Sequence, residues 1–505
     1  MKRTIRRQIA RAKAKIESRL AAAVTINEGG PVTRGRPVYE LSDKTRANAW
    51  GGIGVLHRLA LKQRLPERID DALHLLKMHV PYHESDHVLN VAYNVLCGGR
   101  TLDDIEHRRQ CQSYLDTIGA RSIPDPTTAG DFCRRFDENA IWSLMEALNR
   151  VRVEVWKKHG RALLDQTARI DADGTMVVTT GECKQGIDIN HEGKWGYHPL
   201  LVSLANTQEP LFIVNRSGNR PSHEGAAAVF DLAFDLCIEA GFKDVLLRGD
   251  SDFSLTTSFD RWTDRGARFV FGYDAKPQFV VKAVEDDGFE YHELTQRAER
   301  AIATKARARP ANEKDRIVRE REFNVLVTKD EMLAEFFYQP RACQRAYRFV
   351  VLRKTIANER GQEHLFNEHR YFFYVTNDLK LSLDEVVQEA RGRCNQENLN
   401  DQMKNGVRAF HAPVNTLLAN WAYMVMASLA WSLKAWAALL LPTAPRWRQQ
   451  HERERDQLLR MEFRAFVANF VCVPCQVVLA ARRIVLRVLA WNRWQAVFFR
   501  LLDAT

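Results

Sequence analysis

At 505 residues the chain is too long for a single hydrophobic core, so about two to four domains are expected. An apolar share of 45% and a charged share of 27% are those of an ordinary globular protein and exclude a low-complexity or disordered chain. The net charge of +11, with a pI near 9.2, favours a polyanionic partner, nucleic acid first among them. No secretory signal is read in the first turns, where lysines and arginines recur without an apolar run. The most apolar stretch, residues 417–441, is interrupted by Asn420, Ser428, Ser432 and Lys434, which suits a buried helix better than a membrane span. The nine cysteines are scattered, as in a reduced cytoplasmic protein, and Cys472-Val-Pro-Cys475 has no second pair to make a zinc site.

Residues 1–50 are basic and then Gly/Pro-rich, and read as a mobile arm. Residues 51–160 read as short helices. Pro124-Asp-Pro-Thr-Thr128 opens one of them, with Thr128 just ahead of a helix carrying Arg134 and Arg135. A basic helix after a tight turn fits a DNA-reading helix-turn-helix as well as it fits an ordinary bundle. Residues 1–160 are therefore expected to form a basic arm and a helical DNA-binding region that folds by itself.

From residue 161 strands alternate with helices. Arg169-Ile-Asp-Ala-Asp173 has period two, which puts Asp171 and Asp173 on one face. Apolar runs at 199–204 and 210–214 read as a hairpin, followed by a helix over 223–241. Val245-Leu-Leu-Arg248 is a short buried strand running into Gly249-Asp250-Ser-Asp252-Phe253, where the glycine would let the backbone turn at the strand edge. Residues 276–365 read as an inserted, mainly β subdomain. A core strand at 371–376 resumes before a capped helix, and residues 413–505 read as apolar, Trp-rich helix with basic punctuation.

The helix after residue 382 carries the most chemistry. Ser382 and Glu385 form a capping box and Gly406 is a natural stop. Within those limits Arg393, Glu397 and Lys404 fall on one face, a carboxylate between two cations. Such a stripe suits a metal ion beside a phosphodiester, and taken alone it equally fits a solvated helix with an ion pair. The order of hairpin, helix, strand and late strand-to-helix is that of a ribonuclease-H-like (retroviral-integrase-type) α/β core, assembled from residues 161–275 and 366–412. In that order Asp173 and Asp250 end neighbouring strands and Glu397 comes from the late helix. Phosphodiester cleavage by two Mg²⁺ ions roughly 4 Å apart needs carboxylates from separate elements in this way.

These motifs resemble the DDE transposases of bacterial insertion sequences, most closely the insertion-sequence 1380 family within the group marked by a Tyr-x2-Arg-x3-Glu-x6-Lys helix. The resemblance is carried by Asp171-Ala-Asp-Gly-Thr175, Gly196-Tyr-His-Pro199, Arg248-Gly-Asp-Ser-Asp-Phe253, Arg393-x3-Glu397-x6-Lys404 and Phe410-His-Ala-Pro413 followed by Asn420-Trp421. It implies a metal triad of Asp173, Asp250 and Glu397, the first preferred to Asp171 because it stands two before Thr175. Asp250 is preferred to Asp252 because it directly follows the strand and Gly249. The resemblance further implies that Arg393 and Lys404 contact DNA phosphates, with Arg134 and Arg135 as candidate DNA contacts in the helical region. His198 is expected to be structural. The signature's tyrosine is Ala390, which puts that residue's DNA-handling role in doubt. The implied protein uses Mg²⁺, with Mn²⁺ able to substitute, on transposon-end and target double-stranded DNA. It would act as a homodimer or larger assembly, without membrane or small-molecule partners. A nuclease or resolvase without strand transfer, and an inactive DNA-binding descendant, are the rival readings.

Overall fold

The structure is a computed structural model that describes residues 3–21, 45–285, 289–294, 313–321, 325–360, 368–480 and 483–505. The Gly/Pro-rich stretch at 22–44 and most of the charged stretch at 297–319 lie outside the described residues.

Helices come first: α1 (Arg3–Ala21), α2 (Ile53–Lys62), α3 (Leu65–Ala72), α4 (Glu84–Leu96), α5 (Ile105–Arg109), α6 (Gln112–Ile118), α7 (Pro126–Cys133) and α8 (Glu138–His159), with one short strand, β1 (Arg46–Asn48). After α9 (Arg161–Leu164) come β2 (Ala168–Gly174), β3 (Val177–Val178), β4 (Asp188–Ile189), β5 (Trp195–Tyr197), β6 (Leu200–Leu204) and β7 (Glu209–Val214). Next are α10 (Ala226–Ala240), β8 (Val245–Gly249), α11 (Thr256–Asp264), β9 (Arg268–Tyr273), α12 (Pro277–Glu285), β10 (His292–Glu293) and α13 (Glu313–Glu320). Three long strands follow, β11 (Val325–Tyr338), β12 (Tyr347–Arg360) and β13 (Glu368–Thr376). The chain finishes with α14 (Leu383–Gly392), α15 (Cys394–Asp401), α16 (Leu417–Leu439), α17 (Arg448–Leu459), α18 (Phe463–Phe466), β14 (Cys475–Ala480), β15 (Arg483–Val488) and α19 (Gln495–Ala504).

The fold is mixed α/β. A nine-stranded sheet runs in the order β10-β11-β12-β13-β9-β8-β2-β6-β7. Its centre, β2, β8 and β9, is parallel, and β6 and β7 extend it as an antiparallel hairpin. Every residue of β8 is buried, as a strand covered on both faces requires. The strands of the expected β-rich insertion continue this sheet, because β12 pairs with β13 along nine residues and β13 pairs with β9.

The helical regions are not set apart from the sheet. One hydrophobic cluster takes residues from α2, α4, α8, the sheet, α10 and α16. Helix α16 is buried from Ala419 to Leu439, its few polar residues included, with Thr416 capping its start by accepting from Ala419 N–H at 3.2 Å. Among the described residues it is the helix long and apolar enough to cross a membrane, and protein covers it completely. It packs against α2, α4, α7, α8 and β7, which makes it the axle between the N-terminal helices and the sheet. The C-terminal region expected to be helical also contains the β14–β15 hairpin, which pairs with β1. The basic N-terminal arm includes the helix α1.

Candidate active site

The parallel register of β2 and β8 aligns Asp171 with Arg248. Two residues further along each chain stand Asp173 and Asp250, so neighbouring parallel strands, about 4.8 Å apart, present two acids at their C-terminal ends. In open α/β sheets this is the edge where ligands bind. Asp250 caps the following helical turn, its Oδ1 accepting from Asp252 N–H at 3.0 Å. Gly249 serves here by giving room rather than by an unusual φ: a Cβ on it would meet Phe253 Cβ at 2.6 Å.

Asp171 and Asp173 share a strand face, as period two requires, and their roles separate by environment. Asp171, 1% exposed, accepts two bonds from Arg248, from Nε at 2.7 Å and Nη2 at 2.9 Å. Arg248 also donates from Nη1 to Glu389 Oε2 at 2.9 Å, and Arg169 Nε donates to the same oxygen at 2.9 Å. Asp171 is thus consumed in a clamp between the two central strands and α14. Gly392 makes the clamp fit, since a Cβ there would stand 2.8 Å from Arg248 Nη1.

Among the described residues no cation is bonded to Asp173 in this way. Burial, and then the charge of Asp250, push its carboxyl up to about 7. Its recorded side-chain partner is Asn400, whose Nδ2 donates to Oδ2 at 2.8 Å. Asp250 is also raised, by burial first, while Arg393 works in the other direction from 3.8 Å away. Lys404 is half-buried; burial lowers its pKa and the charge of Asp173 opposes that. Lys404 is therefore within electrostatic reach of Asp173.

The helix bearing these groups is not continuous. Its start is as expected, with Ser382 Oγ accepting from Glu385 N–H and Glu385 Oε2 accepting from Ser382 N–H. It breaks at Arg393, resumes as α15, and widens into a π-helical turn over Gln402–Gly406. Such wide turns are frequent at functional sites. Gln396, one residue before Glu397, anchors α15 to the sheet by donating to Leu201 O at 3.2 Å and accepting from the Ser203 hydroxyl.

Glu397 stands exposed on α15, close enough that its charge helps to raise Asp173. Among the described residues no three His, Cys, Asp or Glu side chains gather around one point. Asp173 and Asp250 themselves fit a cation well, because each is held in a place where its negative charge is disfavoured. Arg134 and Arg135 lie just past the end of α7 rather than on it. Arg134 Nη1 bonds Asp131 at 2.6 Å, and Arg135 Nη1 bonds Leu75 O at 3.4 Å. His198 is tied to backbone, its Nδ1 at 2.8 Å from Arg220 O, and burial lowers its pKa. Ala390 packs into a small cluster with Val386, Val387 and Leu246, beside Tyr374.

Asn400 and the Arg248–Glu389 clamp escape the sequence reading. Asn400 lies three residues after Glu397 and four before Lys404, so the helical spacing includes it, but a neutral amide carries no charge to single it out.

Two acids thus stand at the ends of neighbouring parallel strands, with Arg393 3.8 Å from Asp250. The family model described as "Transposase DDE domain group 1" matches residues 36–503, and the chain belongs to that family of DDE transposases. No curated protein matches the chain. Among solved structures it is similar to the piggyBac transposase in its synaptic complex with hairpin DNA, at 9% identity and a TM-score of 0.31, over 85% of this chain and 88% of that one. A likeness that loose carries no argument.

Proposed function

We propose that this transposase binds the terminal inverted repeats of a bacterial insertion sequence, cleaves the DNA at the element's ends and joins the freed 3′-OH to target DNA. The observation that carries the reading is the alignment of Asp173 and Asp250 at the ends of neighbouring parallel strands, with Arg393 and Lys404 on the helix opposite. The strand order β7-β6-β2-β8-β9 supports a ribonuclease-H-like core.

Asp173 and Asp250 would hold divalent metal, with Glu397 as the third ligand; two Mg²⁺ ions, or Mn²⁺ in their place, suit this oxygen-only set. When bound, the ions activate the attacking oxygen and stabilise the leaving one. Asn400 holds the Asp173 carboxylate in one orientation. Arg393 and Lys404 offset phosphate charge next to the acids. The chemistry joins two element ends, so a homodimer or larger assembly on DNA is proposed, acting at the nucleoid.

The test is nicking and strand transfer on DNA carrying the element's ends. Asp173→Asn, Asp250→Asn and Glu397→Gln should each abolish Mg²⁺-dependent nicking and leave DNA binding in place. Nicking that survives in Asp173→Asn but is lost in Asp171→Asn refutes the assignment. Nicking without joining to target DNA would favour a nuclease or resolvase.

A further inference from the structure

Two motifs remain without a role in this chemistry: Pro124-Asp-Pro-Thr-Thr128 and Phe410-His-Ala-Pro413, nearly three hundred residues apart in the chain. The fold brings them together. Pro126 and Thr127 at the start of α7, with Gly130 and Arg134, line one side of a cavity of about 410 Å³, and His411, Pro413 and Val414 line the other. We propose that this cavity is a second phosphate-binding subsite, which grips a backbone phosphodiester of element-end DNA between the Arg134 guanidinium and the His411 imidazole. The inference rests on the DNA-processing reading above and adds a specific anchoring point to it.

The donors are defined by their neighbours. Arg408 Nη2 lies 3.3 Å from His411 Nε2. Arginine can only donate, so Nε2 must accept and Nδ1 carries the ring proton. His411 is thereby a neutral donor: burial lowers its pKa, and the nearby charges of Arg408 and Lys184 lower it further. Arg134 is committed through Nη1 to Asp131 and through Nε to Asn415 Oδ1 at 3.3 Å, which fixes its planar group at the cavity wall and leaves Nη2 without a hydrogen bond among the described residues. Opposing charge comes from Asp131, already paired with Arg134, and from exposed Asp103 at the wall.

The loop is rigid before any ligand arrives. Lys184 Nζ donates to the carbonyls of Ala412 at 2.6 Å and Val414 at 2.7 Å. Asn420 bonds both backbone groups of Val414, accepting at 3.1 Å and donating at 2.9 Å. Arg408 sits at φ 56°, a left-handed conformation that costs a non-glycine residue, and its buried Nε has no partner among the described residues. Strain of this kind clusters at ligand sites. The same loop leads directly from the π-helical turn bearing Lys404.

The experiment measures binding of the full chain to fluorescein-labelled duplexes taken from the DNA flanking its coding sequence, by anisotropy, without divalent metal and across a range of KCl. Arg134→Ala should weaken binding about tenfold and lower the slope of log Kd against log salt by about 0.9. His411→Ala should weaken it to a similar degree at pH 8 while leaving the slope unchanged, because the imidazole is neutral. His411→Asn, which keeps a donor, should recover most of the loss. The double Ala variant should lose less than the product of the single losses, since both groups serve one phosphate. Unchanged affinity in Arg134→Ala, or strictly multiplicative losses, overturns the subsite while binding by the unaltered protein upholds the DNA reading. No binding by the unaltered protein overturns both.

Discussion

Replacing Asp173 by Asn should make the metal-free protein more stable at pH 8, even though it removes a residue proposed to be essential for activity. The Asp173 carboxyl is pushed from an ordinary 3.8 to about 7 by burial and by Asp250. Three pH units at about 1.4 kcal/mol each set an upper value of about 4 kcal/mol. Asp173 keeps some solvent contact, so about 2 kcal/mol is the working figure. The folded state holds this proton where the unfolded chain has released it, so stability falls as pH rises from about 4 to about 7. Above that window the full cost is present. Asn at 173 carries no charge and can still accept from Asn400. Thermal unfolding followed by circular dichroism should therefore give the variant a midpoint about 2–4 °C above the parent at pH 8, with the gap closing toward pH 4. Added Mg²⁺ should raise the parent's midpoint and leave the variant's nearly still. Equal midpoints at both pH values, or a variant less stable at pH 8, would refute the claim that these two acids strain each other.

Arg248→Met should destabilise the protein by about 3–5 kcal/mol by stranding Asp171 in the interior, and adding Asp171→Leu should restore most of that in chemical denaturation. A near-neutral single variant would mean the clamp is ornamental. Lys404→Ala should weaken binding of element-end DNA and lower its salt slope by about 0.9; an unchanged slope would make Lys404 a solvated helix residue.

Much of the sheet's centre was legible because local patterns and tertiary demands agree there. Period two placed Asp171 and Asp173 on one face, and the apolar run before Gly249 had the length of a buried strand. The capping box at Ser382 marked the start of α14. α7 starts three residues earlier than the sequence suggests: Pro126 opens it and Asp125 caps it, accepting from Thr128 N–H at 2.9 Å. What stayed hidden depends on partners distant in sequence. Nothing local in β11 or β12 announces that they add to the central sheet through β13, and alternating Val, Leu and Arg in β15 reads as helix or strand until β14 and β1 are beside it. The close approach of Arg248 to Gly392 joins residues 144 positions apart. The preference for Asp173 over Asp171 rests on family likeness, and the contacts that separate the two environments, Arg248 bonded to Asp171, are invisible in the sequence.

The buried helix α16 sets a condition on how this protein can be inherited and cut. It is made late in the chain, yet α4 and α8, made early, cover their apolar faces with it. A polypeptide ending before residue 417 would leave those faces bare, prone to aggregate and open to proteases. A shortened transposase that retains the helical region but lacks α16 therefore should not persist as a DNA-binding competitor of the whole one. Frameshifts and stops ahead of residue 417 should therefore silence the protein rather than turn it into its own repressor.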